Sequence, residues 1–223
     1  RTAPRSLALQ EKSETTNPDK KLQGVAALGV AMVMKTLGDN TELMKRRLNL
    51  IRKAIIQSAD VEVNGTTVAK LADDELYIIK FLTKGRVAPD LQGYDSGNRP
   101  IRLSDHKGKV IVLMFWNSTL FDIDRLLEFS TSLEEKFKGR PFVLIGVNND
   151  PVEKLREQEA NGVRWQNLSD PDNKRASEYR TGTWPLAYVL DGERKVQYAG
   201  QPGSFIELTA EALLSPPAPA EKK

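Results

Sequence analysis

His106 is the only imidazole among 223 residues, and cysteine is absent altogether. A lone histidine serves as a general base only where a nucleophile or a metal-ligand set accompanies it. None does here, so an ordinary loop side chain is expected. Without cysteine, disulfides, thiolate catalysis and thiolate metal sites are excluded. Asp122 and Asp124 come nearest to a carboxylate pair, but residues two apart on a helix point to different sides and share no site. Asp170-Pro171-Asp172-Asn173 lacks the glycine and the terminal glutamate of a calcium loop and reads as a turn. No Gly-Lys-Ser/Thr follows Gly85 or the glycines at 93 and 97, so a phosphate loop is absent. Basic residues are not interleaved with aromatics, which argues against nucleic acid as a partner. No metal and no cofactor is expected.

The elements that would position any site divide the chain in two. Residues 1–84 carry 14 basic and 10 acidic side chains, and the remainder 19 and 20, within a net charge of +3. The mildly basic N-terminal part points weakly to acidic partners or anionic surfaces, against the plainer reading of a solvated helix face. Residues 1–20 are polar and aperiodic and are expected to be a disordered lead. A helix is expected from Leu22 to Leu37. Another starts near Asn40 or Thr41, with Met44, Leu48, Ile51 and Ile55 on one stripe and Lys45, Arg52 and Lys53 in water. A third is expected over Ala72 to Leu82. No segment reaches the roughly 18 apolar residues that span a bilayer.

From Gly85 the pattern changes. Val110 to Trp116 is a continuous apolar run, as in a strand buried on both faces of a parallel sheet. Ile123, Leu126, Leu127, Leu133 and Phe137 make one helical face. Phe142 to Val147 is a second buried strand and Pro151 to Ala160 a second helix. Leu186 to Leu190 and Lys195 to Ala199 form a hairpin around Asp191-Gly192. A last helix covers about Phe205 to Leu214. The order predicts an α/β fold, a mixed sheet flanked by helices. Domains are expected at 21–84 (helical) and 85–214 (α/β), and Ser215-Pro216-Pro217-Ala218-Pro219 opens a disordered tail over 215–223.

Five motifs in order give this half a resemblance. Gly85-Arg86-Val87-Ala88-Pro89-Asp90-Leu91 resembles the G-x-x-A-P-D-F/L entry of redoxins and TlpA/ResA-type thioredoxins. Leu103-Ser104-Asp105-His106-Lys107-Gly108-Lys109-Val110 is similar to their L-S-D-x-x-G-K-V. Phe115-Trp116 matches the F-W before their C-x-x-C, Gly146-Val147-Asn148-Asn149-Asp150 their G-V-N-x-D, and Trp184-Pro185 the cis-proline site. The chain thus resembles a cysteine-less member of the thioredoxin-like superfamily, of the TlpA/ResA and redoxin (AhpC/TSA-like) kind. The resemblance implies a thioredoxin fold preceded by helices, and a bacterial periplasm or envelope location after removal of an export signal.

Against that pattern, Leu120 and Ile123 stand at the thiol positions, with Phe121 and Asp122 between them, and Met114 at the buried-acid position. A buried carboxylate costs several kcal/mol unless it is paired or neutralised, so an apolar residue is the cheaper occupant once no thiols need it. Thr119-Leu120-Phe121-Asp122 reads as a capping box with Thr119 as cap and the helix starting within a residue or two of Leu120. By resemblance, Trp116, Asn117, Thr119, Leu120, Phe121, Trp184 and Pro185 line a groove beside the cis-proline, where extended peptides dock. Either a protein or peptide partner occupies that groove, or the N-terminal helices cover it. The implied function is a non-catalytic binding or structural module. The rival is a thiol-disulfide oxidoreductase or peroxiredoxin-like protein that works only when a partner supplies the cysteine, since the thiolate is the nucleophile in both chemistries.

Overall fold

A computed structural model describes residues 3–35, 40–120 and 122–215. The chain divides into two compact units, residues 1–80 and 81–223.

The first unit is helical. Helix α1 is Ala3–Thr16, α2 Lys20–Met34, α3 Thr41–Ser58 and α4 Val68–Phe81, with a two-stranded hairpin of β1 (Glu62–Val63) and β2 (Thr66–Thr67) before α4. Asp19 caps α2 by accepting from the N–H groups of Lys21 and Leu22, and Asn40 caps α3 through the N–H of Leu43. Ala27, Leu28, Val30, Ala31 and Met34 pack with Leu50, Ile51, Ala54, Val68, Ala72 and Ile79. At Gly24 an added Cβ would sit 1.9 Å from Ser58 Oγ, so only glycine lets α2 and α3 approach this closely.

Three expectations are corrected here. Within the expected disordered lead of residues 1–20, Ala3–Thr16 folds as α1, held by Glu11 to Arg46 at 2.7 Å and Glu14 to Lys53 at 2.5 Å. Those partners lie 35 and 39 residues away, so no local pattern announces them. The buried stripe of α3 is Arg47, Leu50, Ile51, Ala54 and Ser58, rotated from the expected one, and Ile55 is exposed. Buried charge at Arg47 is what hydrophobic periodicity misses. Helix α4 starts a turn earlier than expected because Thr67 Oγ1 accepts from the N–H of Lys70 and supports its first turn. The expected end of α2 at Leu37 and the tail beyond Ser215 lie outside the described residues.

The second unit is built on a five-stranded sheet in the order β7-β6-β5-β8-β9. Its strands are β5 (Val110–Trp116), β6 (Phe142–Asn148), β7 (Gln166–Ser169), β8 (Leu186–Leu190) and β9 (Val196–Gly200). The β5–β6 and β6–β7 pairs are parallel; β5–β8 and β8–β9 are antiparallel. Helices α5 (Ile123–Lys136), α6 (Val152–Ala160), α7 (Lys174–Glu178) and α8 (Ser204–Leu214) follow in turn. A small hairpin of β3 (Gln92–Tyr94) and β4 (Pro100–Arg102), then a 3₁₀ turn over Leu103–His106, leads into β5. This is the mixed α/β arrangement expected of a thioredoxin fold.

Strand β5 is buried at all seven positions, and its alternation builds two cores. Val110, Val112, Met114 and Trp116 join Leu126 and Leu133 of α5 and Ile206 and Ala210 of α8. Phe115 points the other way, into the rings of Tyr179 at 5.3 Å and Tyr188 at 6.2 Å. Strand β7 and helix α7 went unread in the sequence because Gln166-Asn167-Leu168-Ser169 has no apolar alternation. Its pairing with β6 and the bond from Trp116 make it a strand.

Candidate functional site

The site implied by the resemblance lies where β5 ends. Register pairs Phe115 with Leu186, which sets Pro185 beside the exit of β5. The Trp184–Pro185 peptide is cis. Trp184 is half-buried, and its ring meets Phe115 edge-on at 6.4 Å. Burial among these rings pushes the Tyr188 hydroxyl above its ordinary range.

Trp116 was expected in the groove with Trp184, and the structure places it elsewhere. It is fully buried on the opposite face of β5, its ring 5.7 Å from that of Trp165 and its Nε1 donating to Asn167 Oδ1 at 2.9 Å. The period of two along a strand separates Phe115 and Trp116, so only Phe115 shares a face with Trp184. Met114 is fully buried in the same apolar cluster as Trp116.

The helix start also differs from expectation. Helix α5 begins at Ile123, and its cap is Asp122, whose Oδ1 accepts from the N–H groups of Asp124 at 3.2 Å and Arg125 at 3.3 Å. Among the described residues, Thr119 accepts no first-turn amide of α5. Its hydroxyl donates to Asn117 Oδ1 at 3.3 Å. The acceptor that organises the loop is Asn117, whose Oδ1 also takes the N–H groups of Thr119 at 3.1 Å and Leu120 at 2.8 Å. The dipeptide pattern Asn-Ser after a strand is a known side-chain turn former, and that signal was in the sequence. Leu120 therefore precedes the helix and is 61% exposed, whereas Ile123 and Leu127 pack on the core. Phe121 lies outside the described residues.

Neighbouring strand ends complete the rim. Asp150 is only 5% exposed, and its Oδ2 accepts from the Ser118 N–H at 2.9 Å and Asn148 Nδ2 at 2.8 Å. Asn117 Nδ2 donates to Asn149 Oδ1 at 2.9 Å, and Asn149 Nδ2 to Asn173 Oδ1 at 2.8 Å. Asp170 Oδ1 and Oδ2 accept from the N–H groups of Arg175 and Ala176 and so hold the start of α7. Amide and carboxylate side chains thus tie together the loops that leave β5, β6 and β7. His106 sits in the 3₁₀ turn before β5, half-buried, and burial with Lys109 nearby lowers its pKa. Among the described residues no three His, Asp or Glu side chains group as metal ligands, and no helix is long and apolar enough to cross a membrane.

Similar proteins share the fold and the motifs. The chain is 24% identical to the thiol-disulfide oxidoreductase ResA of Geobacillus thermodenitrificans over 158 residues, which cover 69% of this chain and 88% of that one. It is 29% identical over 123 residues to the protein DipZ of Mycobacterium tuberculosis, covering 50% of this chain but only 18% of DipZ. Among solved structures, the thiol:disulfide interchange protein DsbE of Chlorobium tepidum superposes with a TM-score of 0.56 at 22% identity, covering 60% of this chain and 99% of that one. At that identity the likeness speaks for the fold alone. The AhpC/TSA family profile matches residues 84–199, and the chain belongs to the AhpC/TSA family, as a member without cysteine.

Proposed function

We propose that this protein is a non-catalytic thioredoxin-fold module that binds an extended segment of a partner protein in the groove beside Pro185, outside the cytoplasm. The observation that carries the reading is the substitution of the reactive position. Leu120 stands where a thiol is expected by resemblance, in a chain with no cysteine, and it is exposed although apolar. Exposed leucine costs solvation free energy that contact with a partner recovers, about 1.5–3 kcal/mol for full burial. Asn117 accepts from the N–H groups of Thr119 and Leu120, and by resemblance Trp184 and the buried Pro185 belong to the same groove. The main-chain groups next to a cis-proline offer hydrogen bonds to an added strand, and Leu120 and Trp184 offer apolar contact. The location outside the cytoplasm rests on the resemblance to ResA-type proteins.

Two assays test the reading together. Reduction of insulin disulfides with a dithiol and thiol-peroxidase turnover should both stay at the level of a no-protein control, because no thiolate exists to attack sulfur or peroxide. A partner captured from the envelope fraction of the source cells should be lost with Leu120→Asp and with Trp184→Ala, while both variants unfold at the parent's midpoint. Turnover that survives repurification overturns the non-catalytic part. Turnover that appears only when the captured partner brings a cysteine favours the oxidoreductase reading.

A further inference from the structure

The loop that leaves β5 holds almost no main-chain structure of its own, yet three consecutive amides in it are occupied. The N–H of Ser118 goes to Asp150, and those of Thr119 and Leu120 go to Asn117. The three amides share two acceptors, both side-chain oxygens: Asp150 Oδ2 and Asn117 Oδ1. Asn117 is in turn fixed by Asn149, the residue next to Asp150 at the end of β6. Asn148 closes the set, donating from its side chain to Asp150 Oδ2 and accepting the Asp150 N–H at 3.0 Å.

We propose that Asp150 and Asn117 are positioning residues that fix the loop over residues 117–120 and hold the Leu120 side chain outward. The proposal rests on reading this loop as the partner-facing rim. A carboxylate this deep, met among the described residues by neutral donors, is costly to bury, and an apolar residue at the end of β6 would stabilise the fold more cheaply. What the carboxylate provides is directional: an acceptor for a loop amide that neither strand nor helix satisfies. The loop thereby keeps one conformation without a thiol, a metal or a backbone ladder to define it. Preorganisation of this kind reduces the entropy lost when a partner closes on Leu120.

Because the chain has no cysteine, Leu120→Cys carries a nitroxide label at one defined place. Its electron spin resonance line shape reports loop mobility and needs no partner, so it stands or falls independently of the capture experiment. Asp150→Ala and Asn117→Ala should each raise the label's rotational rate by about twofold or more, the difference between an ordered and a fraying segment on the nanosecond scale. Asp150→Asn keeps an acceptor for the Ser118 N–H and should keep the restricted line shape. A label at Ser132→Cys, on the exposed side of α5, should be unchanged throughout. If position 120 stays equally restricted in both alanine variants, or if 132 loosens as much as 120, Asp150 and Asn117 are general stabilisers and the proposal fails. Asn117→Ala removes the acceptor of two loop amides and one bond to Asn149 while leaving Asp150 in place, so it decides the matter even if Asp150→Ala does not fold.

Discussion

The two units bury polar groups by different means. In the helical unit Arg47 of α3 and Glu75 of α4, 2% and 5% exposed, form an ion pair, with Lys35 3.7 Å from the same carboxylate. In the sheet unit Asp150 is equally buried, but its hydrogen bonds come from a backbone amide and an asparagine. The first arrangement concentrates its electrostatics in one contact across 28 residues of sequence. The second spreads it over a chain of amides reaching Asn173. Removing Glu75 leaves Arg47 a buried charge without its partner, and removing Arg47 leaves Glu75 only the more distant Lys35. A network loses one link and keeps the rest.

The ranking of two variants tests that difference most directly. Glu75→Ala should destabilise by about 3–5 kcal/mol, and Asp150→Asn by only about 1–3 kcal/mol, both read by urea unfolding followed by circular dichroism. Replacing the pair together, with Arg47→Met and Glu75→Leu, should recover most of the loss. If Asp150→Asn costs as much as Glu75→Ala, the contrast between pair and network is wrong.

A smaller effect separates two candidate caps at the same rim. Asp122→Ala should cost about 0.5–2 kcal/mol, the usual loss of a helix cap. Thr119→Ala should stay within about 0.5 kcal/mol, since among the described residues its hydroxyl adds one long bond, to Asn117. The reverse order in thermal melts would restore Thr119 as the cap and move the start of α5 back toward Leu120.

The smallest effect expected comes from His106. Its pKa is lowered first by burial and then by Lys109, with Asp105 opposing. The charged form is thus disfavoured in the folded state, and the unfolded chain binds a proton sooner as pH falls. Stability should therefore be full above about 6.5, the ordinary histidine value, and decline as pH falls through the lower folded value. Melting temperatures recorded from pH 8 to 5 should slope less in His106→Gln. An identical slope in the variant would assign the pH dependence to carboxylates alone.

What sequence determined by itself was whatever depends on near neighbours. The apolar run Val110–Trp116 had to be a strand buried on both sides, and it is. The order of strands and helices from Gly85 onward, with motifs at fixed spacing, was sufficient for the α/β fold and the family. The absence of cysteine settled the missing thiolate without any structure. Tertiary structure decided everything that rests on partners distant in the chain. Helix α1 reads as a polar lead because Arg46 and Lys53, which hold it, are dozens of residues away. Trp116 and Phe115 are neighbours in sequence, but only the sheet's register assigns one to the buried core and the other to Trp184. Asn117 took the loop amides that Thr119 was expected to take, because Asn149 at the end of β6 fixes its side chain in reach. Hydrogen bonds are short-ranged and directional, so which acceptor wins depends on where the fold puts it, and composition and periodicity carry no record of that.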